Sequence, residues 1–391
     1  MPGVIMGHNT GLTETDLEEL TEWRRGLHRR PELSGQEVET AATVQRMLRA
    51  FAPDELVTGL GGHGVAAVFD SGQPGPAVLL RCESDGLPIH EAGDLSYRSE
   101  IDGHGHLCGH DGHMSWLAGM ARLLSRQRPA RGRVILMFQP AEEDGAGAAR
   151  VVADPAFARI APDYAFAIHN MPGMPLGHVA LDTGPVTCAS AGMHVTLTGR
   201  TAHASLPETG ISPAPALAAL MPALTALGHG HPKDHDFTLA TVTHARMGEP
   251  AFGVAPGEAE LFVTLRTRTD DGMAALRQKA EALVHSAANS NDLAVRIGYE
   301  DVFVTCNNDA DATDIAYRAL ERLGTHVDDA ALPLRGSEDF GRFGDDARLA
   351  FMLLGAGQGA ATIHNPDYDF PDALIAPGVR IFSAIISEIL G

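Results

Sequence analysis

Cysteine is scarce in this chain: four residues, at positions 82, 108, 188 and 306 of 391, with no CxxC pair among them. A chain so long and so poor in cysteine is not a disulfide scaffold, and a reducing, cytoplasmic compartment is expected. No run of apolar residues is long enough to predict a bilayer span, so no membrane is expected as a partner. Met1 to Gly11 lack the basic start and apolar core of a secretory leader. Basic side chains are also few, 29 against 50 acidic ones, for a net charge of −21. Such a surface repels phosphate backbones, which excludes nucleic acid as the expected partner. Neither a GxGxxG after a strand nor a P-loop occurs, which argues against a nucleotide-binding α/β protein.

What is present is a globular balance, 44% hydrophobic and 20% charged residues. One hydrophobic core seldom grows to 391 residues, so two domains are expected. Thr13 with Asp16, then Ser34 with Glu37, have capping-box spacing and predict two opening helices. Short apolar runs at 65–69, 77–82, 134–138 and 164–168 predict buried strands, with a helix over 114–124 between them. This alternation predicts an α/β fold, a mostly parallel sheet covered by helices on both faces. Near residue 190 the pattern changes. Met193, Val195 and Leu197 alternate with His194, Thr196 and Thr198, the signature of a strand with one wet face. A helix over 213–227, strands over 238–246 and 260–267, a helix over 272–288 and a strand over 293–299 complete a βαββαβ order. The expected layout is one domain from 1–188 and 301–391, with a second inserted at 189–300. Helices near 311–323 and 377–390 close the chain.

The densest chemistry lies in Cys108-Gly109-His110-Asp111-Gly112-His113, which enters an apolar helix. Thiolate and imidazole are borderline-soft ligands for zinc, manganese, cobalt or nickel. Phe138-Gln139-Pro140-Ala141-Glu142-Glu143 ends a strand in paired carboxylates. Ligands gather beyond the carboxyl ends of strands in α/β sheets, and one carboxylate can hold a cation while its neighbour acts as base. Ile168-His169-Asn170 ends another strand, and Ile363-His364-Asn365-Pro366 comes late in the chain. A lone histidine at a strand end is more often structural; four such ligand-bearing sites in one domain point to a metal centre. Arg81-Cys82-Glu83-Ser84-Asp85, Gly199-Arg200-Thr201-Ala202-His203 and Gly336-Ser337-Glu338-Asp339 add further polar groups at strand ends and turns.

Taken together, and in this order from Leu27-His28-Arg29-Arg30-Pro31-Glu32-Leu33-Ser34 to His364, the motifs resemble one amidohydrolase subfamily. It comprises hippurate hydrolases, bacterial N-acyl-amino-acid deacylases and plant hydrolases of auxin–amino-acid conjugates. These group with aminoacylase and glutamate carboxypeptidase in one metallopeptidase family.

The resemblance implies a metal-dependent amidohydrolase that cleaves the amide of an N-acyl amino acid or related conjugate. The attacking group would be a hydroxide bridged between two divalent cations: manganese, zinc, nickel or cobalt. Cys108, His110, Glu143, His169 and His364 match the family's metal ligands, and Glu142 matches its general base. Asp85 resembles the residue that orients a ligand, and His113 either does similar work or packs its helix. The inserted domain resembles a lid through which a homodimer forms, with His203 reaching the partner subunit's active site. Arg266 matches a residue that binds the substrate carboxylate, although Arg268 lies two residues on and faces the same side of the strand. Gly253, in Ala251-Phe252-Gly253-Val254-Ala255-Pro256, stands where relatives carry an asparagine that holds the carboxylate end. Either a turn there needs a positive φ, or the substrate presents a weaker, displaced or bulkier leaving group. Two other readings stand beside this one: hydrolysis of another C–N bond, such as a ring amino group, and a metal-binding homologue without catalysis.

Overall fold

The computed structural model describes residues 11–391; residues 1–10, on which the leader argument rests, lie outside it. The chain separates into two compact units. One holds the residues up to Val186 with Asn307–Leu332 and Asp339–Gly391. The other holds Thr187–Cys306 and also takes in Pro333–Glu338, beyond the 189–300 stretch read from the sequence pattern.

The first unit is built on an eight-stranded mixed sheet. Its order is Glu55–Leu60, Gly64–Asp70, Arg133–Gln139, Ala77–Glu83, Tyr164–Pro172, Arg348–Gly357, Val179–Ala180 and Val327–Asp328. Four of its seven pairings are parallel and three antiparallel. The parallel centre explains the continuous apolar runs: Ala77–Glu83 is buried at every position, as a strand covered on both faces must be. Arg348–Gly357, buried from Leu349 to Ala356, and the edge strand Glu55–Leu60 are additions to the four strands expected here. The helix His110–Arg126 packs against the sheet and against the C-terminal helix Ile375–Leu390.

That last helix corrects one expectation. With its preceding turn, Asp372–Leu390 is long and apolar enough to cross a membrane by length and composition. Its apolar stripe, Val379, Phe382, Ile385 and Leu390, is instead fully buried in the domain core. The capping predictions divide. Thr13 and Asp16 form the reciprocal box that opens Glu14–His28. Ser34 and Glu37 do not: Val38–Ala50 has no side-chain cap, and both residues turn inward toward the site.

The second unit is a four-stranded antiparallel sheet in the order Thr238–Met247, Glu258–Thr267, Ala189–Thr198, Ala294–Phe303. Two helices, Ala214–Thr225 and Asp270–Asn289, bury the face formed by Met193, Val195, Leu197, Leu261, Val263 and Leu265. The alternation of those residues with polar neighbours sets which face is wet, and the βαββαβ order is as expected.

Candidate active site

All five expected metal ligands and Glu142 belong to the first unit, at the carboxyl ends of its parallel strands or in loops beside them. The turn that presents Cys108 is conformationally demanding. Gly109 takes φ +98° as the residue preceding the helix His110–Arg126. A Cβ there would lie 1.9 Å from Asn170 Oδ1, so both backbone and space require glycine. Asn170 in turn donates from Nδ2 to the Cys108 carbonyl at 3.1 Å, tying the loop to the end of Tyr164–Pro172.

Two other ligand-bearing turns contain non-glycine residues at positive φ: Ala141 at +53°, just before Glu142, and His364 at +67°. The left-handed region costs an L-residue roughly 1–2 kcal/mol, so each must be held by its surroundings. Glu37 does this for Ala141, accepting its N–H at 2.8 Å, and also accepts from Gly35 at 2.9 Å. The His364 N–H donates to the Leu107 carbonyl at 2.7 Å, beside Cys108.

The imidazoles are held in defined tautomers. His110 Nδ1 lies 2.9 Å from the Asp85 carbonyl oxygen, which can only accept, so Nδ1 carries a proton. Asp85 also presents its carboxylate at 3.2 Å, and is itself anchored by the Ser34 hydroxyl at 2.8 Å and the Glu143 N–H at 2.9 Å. His169 Nδ1 donates to the Asn170 carbonyl at 2.7 Å, which turns its Nε2 toward Cys108 Sγ, 3.4 Å away. His113 packs its helix, with its ring stacked on Trp116 at 4.8 Å, while Nδ1 meets Glu83 at 2.6 Å and Nε2 meets Asn170 at 3.0 Å, neither of them an expected ligand. Glu83 also pairs with buried Arg81, which reaches Asp339 at 2.6 Å.

The ligand atoms converge. Cys108, His110 and His169 each offer one within 4.8 Å of the others, and so do Cys108, Glu143 and His364. These two sets share Cys108. A third set, His110 with Glu142 and Glu143, brings the expected base to the same wall, with Glu142 Oε2 3.9 Å from His110 Nε2. Glu83 with His110 and His113 forms a further group not expected as ligands.

A divalent cation pair fits these residues on physical grounds. His110 Nε2 is fully buried and has no hydrogen-bond partner among the described residues. Burial alone would push that imidazole down, yet the hydrogen bond to Asp85 and the carboxylates of Glu83, Asp85 and Glu143 carry it up to about 10. The pocket thus recruits a proton where a metal ion would sit, and metal binding would release it. Burial and the carboxylates of Glu143, Glu142 and Glu83 push the Cys108 thiol well up, so its thiolate needs a cation beside it. Burial, then the His113 ring, hold His169 down to about 3, leaving it neutral with its Nε2 lone pair directed at Cys108 Sγ.

The remaining expected residues belong to the second unit. His203 is exposed on the short strand Ala202–His203, with Nδ1 2.7 Å from the Ser205 hydroxyl. That strand pairs with Val254–Ala255, and the Gly253 carbonyl accepts from Ala204 at 3.0 Å. Gly253 is not at positive φ, and a Cβ there would meet nothing within 4 Å. The positive-φ account of this glycine is therefore overturned. Arg266 is half-buried and donates to the Arg335 carbonyl at 3.0 Å and the Ser337 hydroxyl at 2.8 Å.

Sequence reasoning missed the supporting groups Glu37 and Asn170. The adjacency of Asn170 to His169 was its only signal, while Glu37 looked like half of a helix cap.

Known proteins bear on this arrangement. Residues 79–388 match Peptidase family M20/M25/M40. A hippurate hydrolase from Campylobacter jejuni is 30% identical over 370 residues, 94% of this chain and 95% of its own. An N-acetylcysteine deacetylase from Bacillus subtilis is 27% identical over 375 residues, 95% of this chain and 97% of its own. Among solved structures, a dinuclear metal-binding peptidase of the M20 family from Bacillus subtilis superposes with a TM-score of 0.81 at 26% identity, covering 96% of this chain and 98% of that one. With its α/β fold matching structures of that kind and its family match spanning most of the sequence, this chain is a hydrolase belonging to Peptidase family M20/M25/M40.

Proposed function

We propose that the protein is a dinuclear metal-dependent amidohydrolase that cleaves the amide bond of an N-acyl amino acid or related conjugate. The observation that carries this reading is the pair of three-residue ligand sets sharing Cys108, with Glu142 on the same wall. Cys108, His110, Glu143, His169 and His364 would hold the two ions, and thiolate, imidazole and carboxylate together suit manganese, zinc, nickel or cobalt. When bound, such a pair supplies Lewis acidity and lowers the pKa of water.

The chain's own groups do the rest. Glu142 takes the proton from the attacking water and hands it to the leaving amine, so one carboxylate serves as base and then as acid. Asp85 keeps the His110 proton on Nδ1 and so leaves Nε2 for the metal. Arg266 takes the substrate's carboxylate, and His203 stabilises charge on the reacting oxygen from the partner subunit of a homodimer formed through the second unit.

Glu142→Gln tests the base: turnover of N-acyl amino acids should fall by roughly 10²–10⁴-fold while metal content by mass spectrometry stays near wild type. Near-wild-type turnover would remove Glu142 from that role. The dimer is tested by mixing inactive His203→Ala with inactive Glu142→Ala. Partial recovery of activity is expected from hybrid dimers, whereas a monomer on analytical ultracentrifugation that is fully active would end that assignment.

A further inference from the structure

Two side chains that share an ion bind it most tightly when their spacing is set before the ion arrives, because no rearrangement then offsets the binding. A thiolate at about 2.3 Å and an imidazole nitrogen at about 2.0–2.1 Å from a tetrahedral ion stand about 3.5 Å apart. Cys108 Sγ and His169 Nε2 are 3.4 Å apart, although 61 positions separate the two residues in sequence. Cys108 lies in the turn before one helix and His169 near the end of a strand, so their spacing depends on what joins those segments.

Asn170 touches both. Its backbone carbonyl accepts from His169 Nδ1 at 2.7 Å, which turns Nε2 toward Cys108. Its side chain donates from Nδ2 to the Cys108 carbonyl at 3.1 Å. Asn170 is itself held on several sides. It is fully buried, and its Oδ1 presses on Gly109, where a Cβ would come within 1.9 Å. His113 Nε2 meets the Asn170 backbone N–H at 3.2 Å and Oδ1 at 3.0 Å. His113 Nδ1 in turn meets Glu83 at 2.6 Å, and Glu83 pairs with Arg81. Glu83, His113 and Asn170 are all shut off from solvent. Turning the Asn170 amide over would bring its oxygen against the Cys108 carbonyl oxygen, two acceptors with no proton between them.

This buried chain links the strand Ala77–Glu83, the helix His110–Arg126 and the strand Tyr164–Pro172 beneath the ligands. Resting on the metal-dependent reading above, we infer that Asn170 is a positioning residue that sets the Cys108–His169 spacing for the ion those two side chains share. Such a role differs from core packing in one measurable way. A packing residue costs the same whether or not His169 is present. A residue that spaces two ligands loses its effect on metal binding once one of them is gone, so the two substitutions are not additive.

Equilibrium dialysis of metal-free, full-length protein against Zn²⁺ gives the free concentration at half-loading. Asn170→Ala should raise it by roughly ten- to a hundredfold, the cost of losing a group that holds a metal ligand in place. The same change made in His169→Ala should raise it by no more than roughly twofold. Asn170→Asp keeps the size of the side chain and replaces the donor by an oxygen, so it should fold where Asn170→Ala does not, and should lose affinity in the same way. Losses of equal size with and without His169, or half-loading unchanged in both Asn170 variants, would overturn the proposal and leave the amidohydrolase reading standing. A wild type that takes up no Zn²⁺ would end both.

Discussion

His110 Nδ1 faces Asp85 twice, at 2.9 Å from its carbonyl oxygen and 3.2 Å from its carboxylate. The proton is thereby fixed on Nδ1, and the buried Nε2, without a hydrogen bond, faces the Glu142 and Glu143 carboxylates at 3.9 and 3.8 Å. Asp85→Ala should weaken metal binding by roughly ten- to a hundredfold, the usual cost of losing a group that orients a ligating histidine. Calorimetric titration of metal-free protein with Mn²⁺ or Zn²⁺ measures it. Cys108→Ala and Glu143→Ala should lose bound metal outright, and a chelator should inactivate the wild type until divalent ions are returned. Full activity in chelator, or Asp85→Ala binding metal as tightly as wild type, would contradict this arrangement.

Gly253 is open to side chains on both counts: its φ is not positive, and a Cβ there would have no atom within 4 Å. An asparagine should fit without strain. If it supplies one charge-assisted hydrogen bond to a substrate carboxylate, about 1.5–3 kcal/mol is gained, a factor of roughly ten to a hundred. Gly253→Asn should therefore raise kcat/KM on N-acetyl and N-benzoyl amino acids. An unchanged kcat/KM, with a wild type already efficient on those compounds, would show that the glycine has no bearing on specificity.

His28 predicts a pH dependence of stability. It is fully buried, 2.9 Å from Asp111 and 3.3 Å from Glu91, with Arg24 also close by. Burial alone would lower its pKa, but Asp111 and Glu91 outweigh burial and Arg24 and raise it from 6.5 to about 9. A raised pKa stabilises the fold fully below about 6.5 and loses that contribution as the pH climbs through about 9. The effect is on the order of 3 kcal/mol. Denaturant titrations of wild type and His28→Gln should differ most below about pH 6.5 and converge above about pH 9. Comparing the two proteins at each pH cancels the titration of other groups. A difference that stays constant across this range would show that His28 is not held as a cation.

Local pattern carried some elements further than others. Thr13 and Asp16 form their capping box because its two hydrogen bonds close within one turn. Ser34 and Glu37 have the same spacing, yet Asp85 and Ala141, distant in sequence, compete for their side chains and win. The apolar composition of Ile375–Leu390 was plain, but only its packing against His110–Arg126 shows why it is apolar. The strand Arg348–Gly357 pairs in parallel with Tyr164–Pro172, a partner almost two hundred residues away, and periodicity says nothing of such partners.

By itself, the sequence determined the kinds of donor available and the local frames that carry them. A thiol and imidazole open one helix, paired carboxylates end one strand, and a histidine ends another; each depends on neighbours a few residues away. Tertiary structure alone decided that Cys108 belongs to two ligand sets, that His110 and His169 present Nε2, and that Glu37 and Asn170 brace the turns. The reason is physical: coordination geometry, tautomer and charge balance depend on distances of a few ångströms between groups far apart along the chain, and those distances exist only once the sheet has ordered its strands.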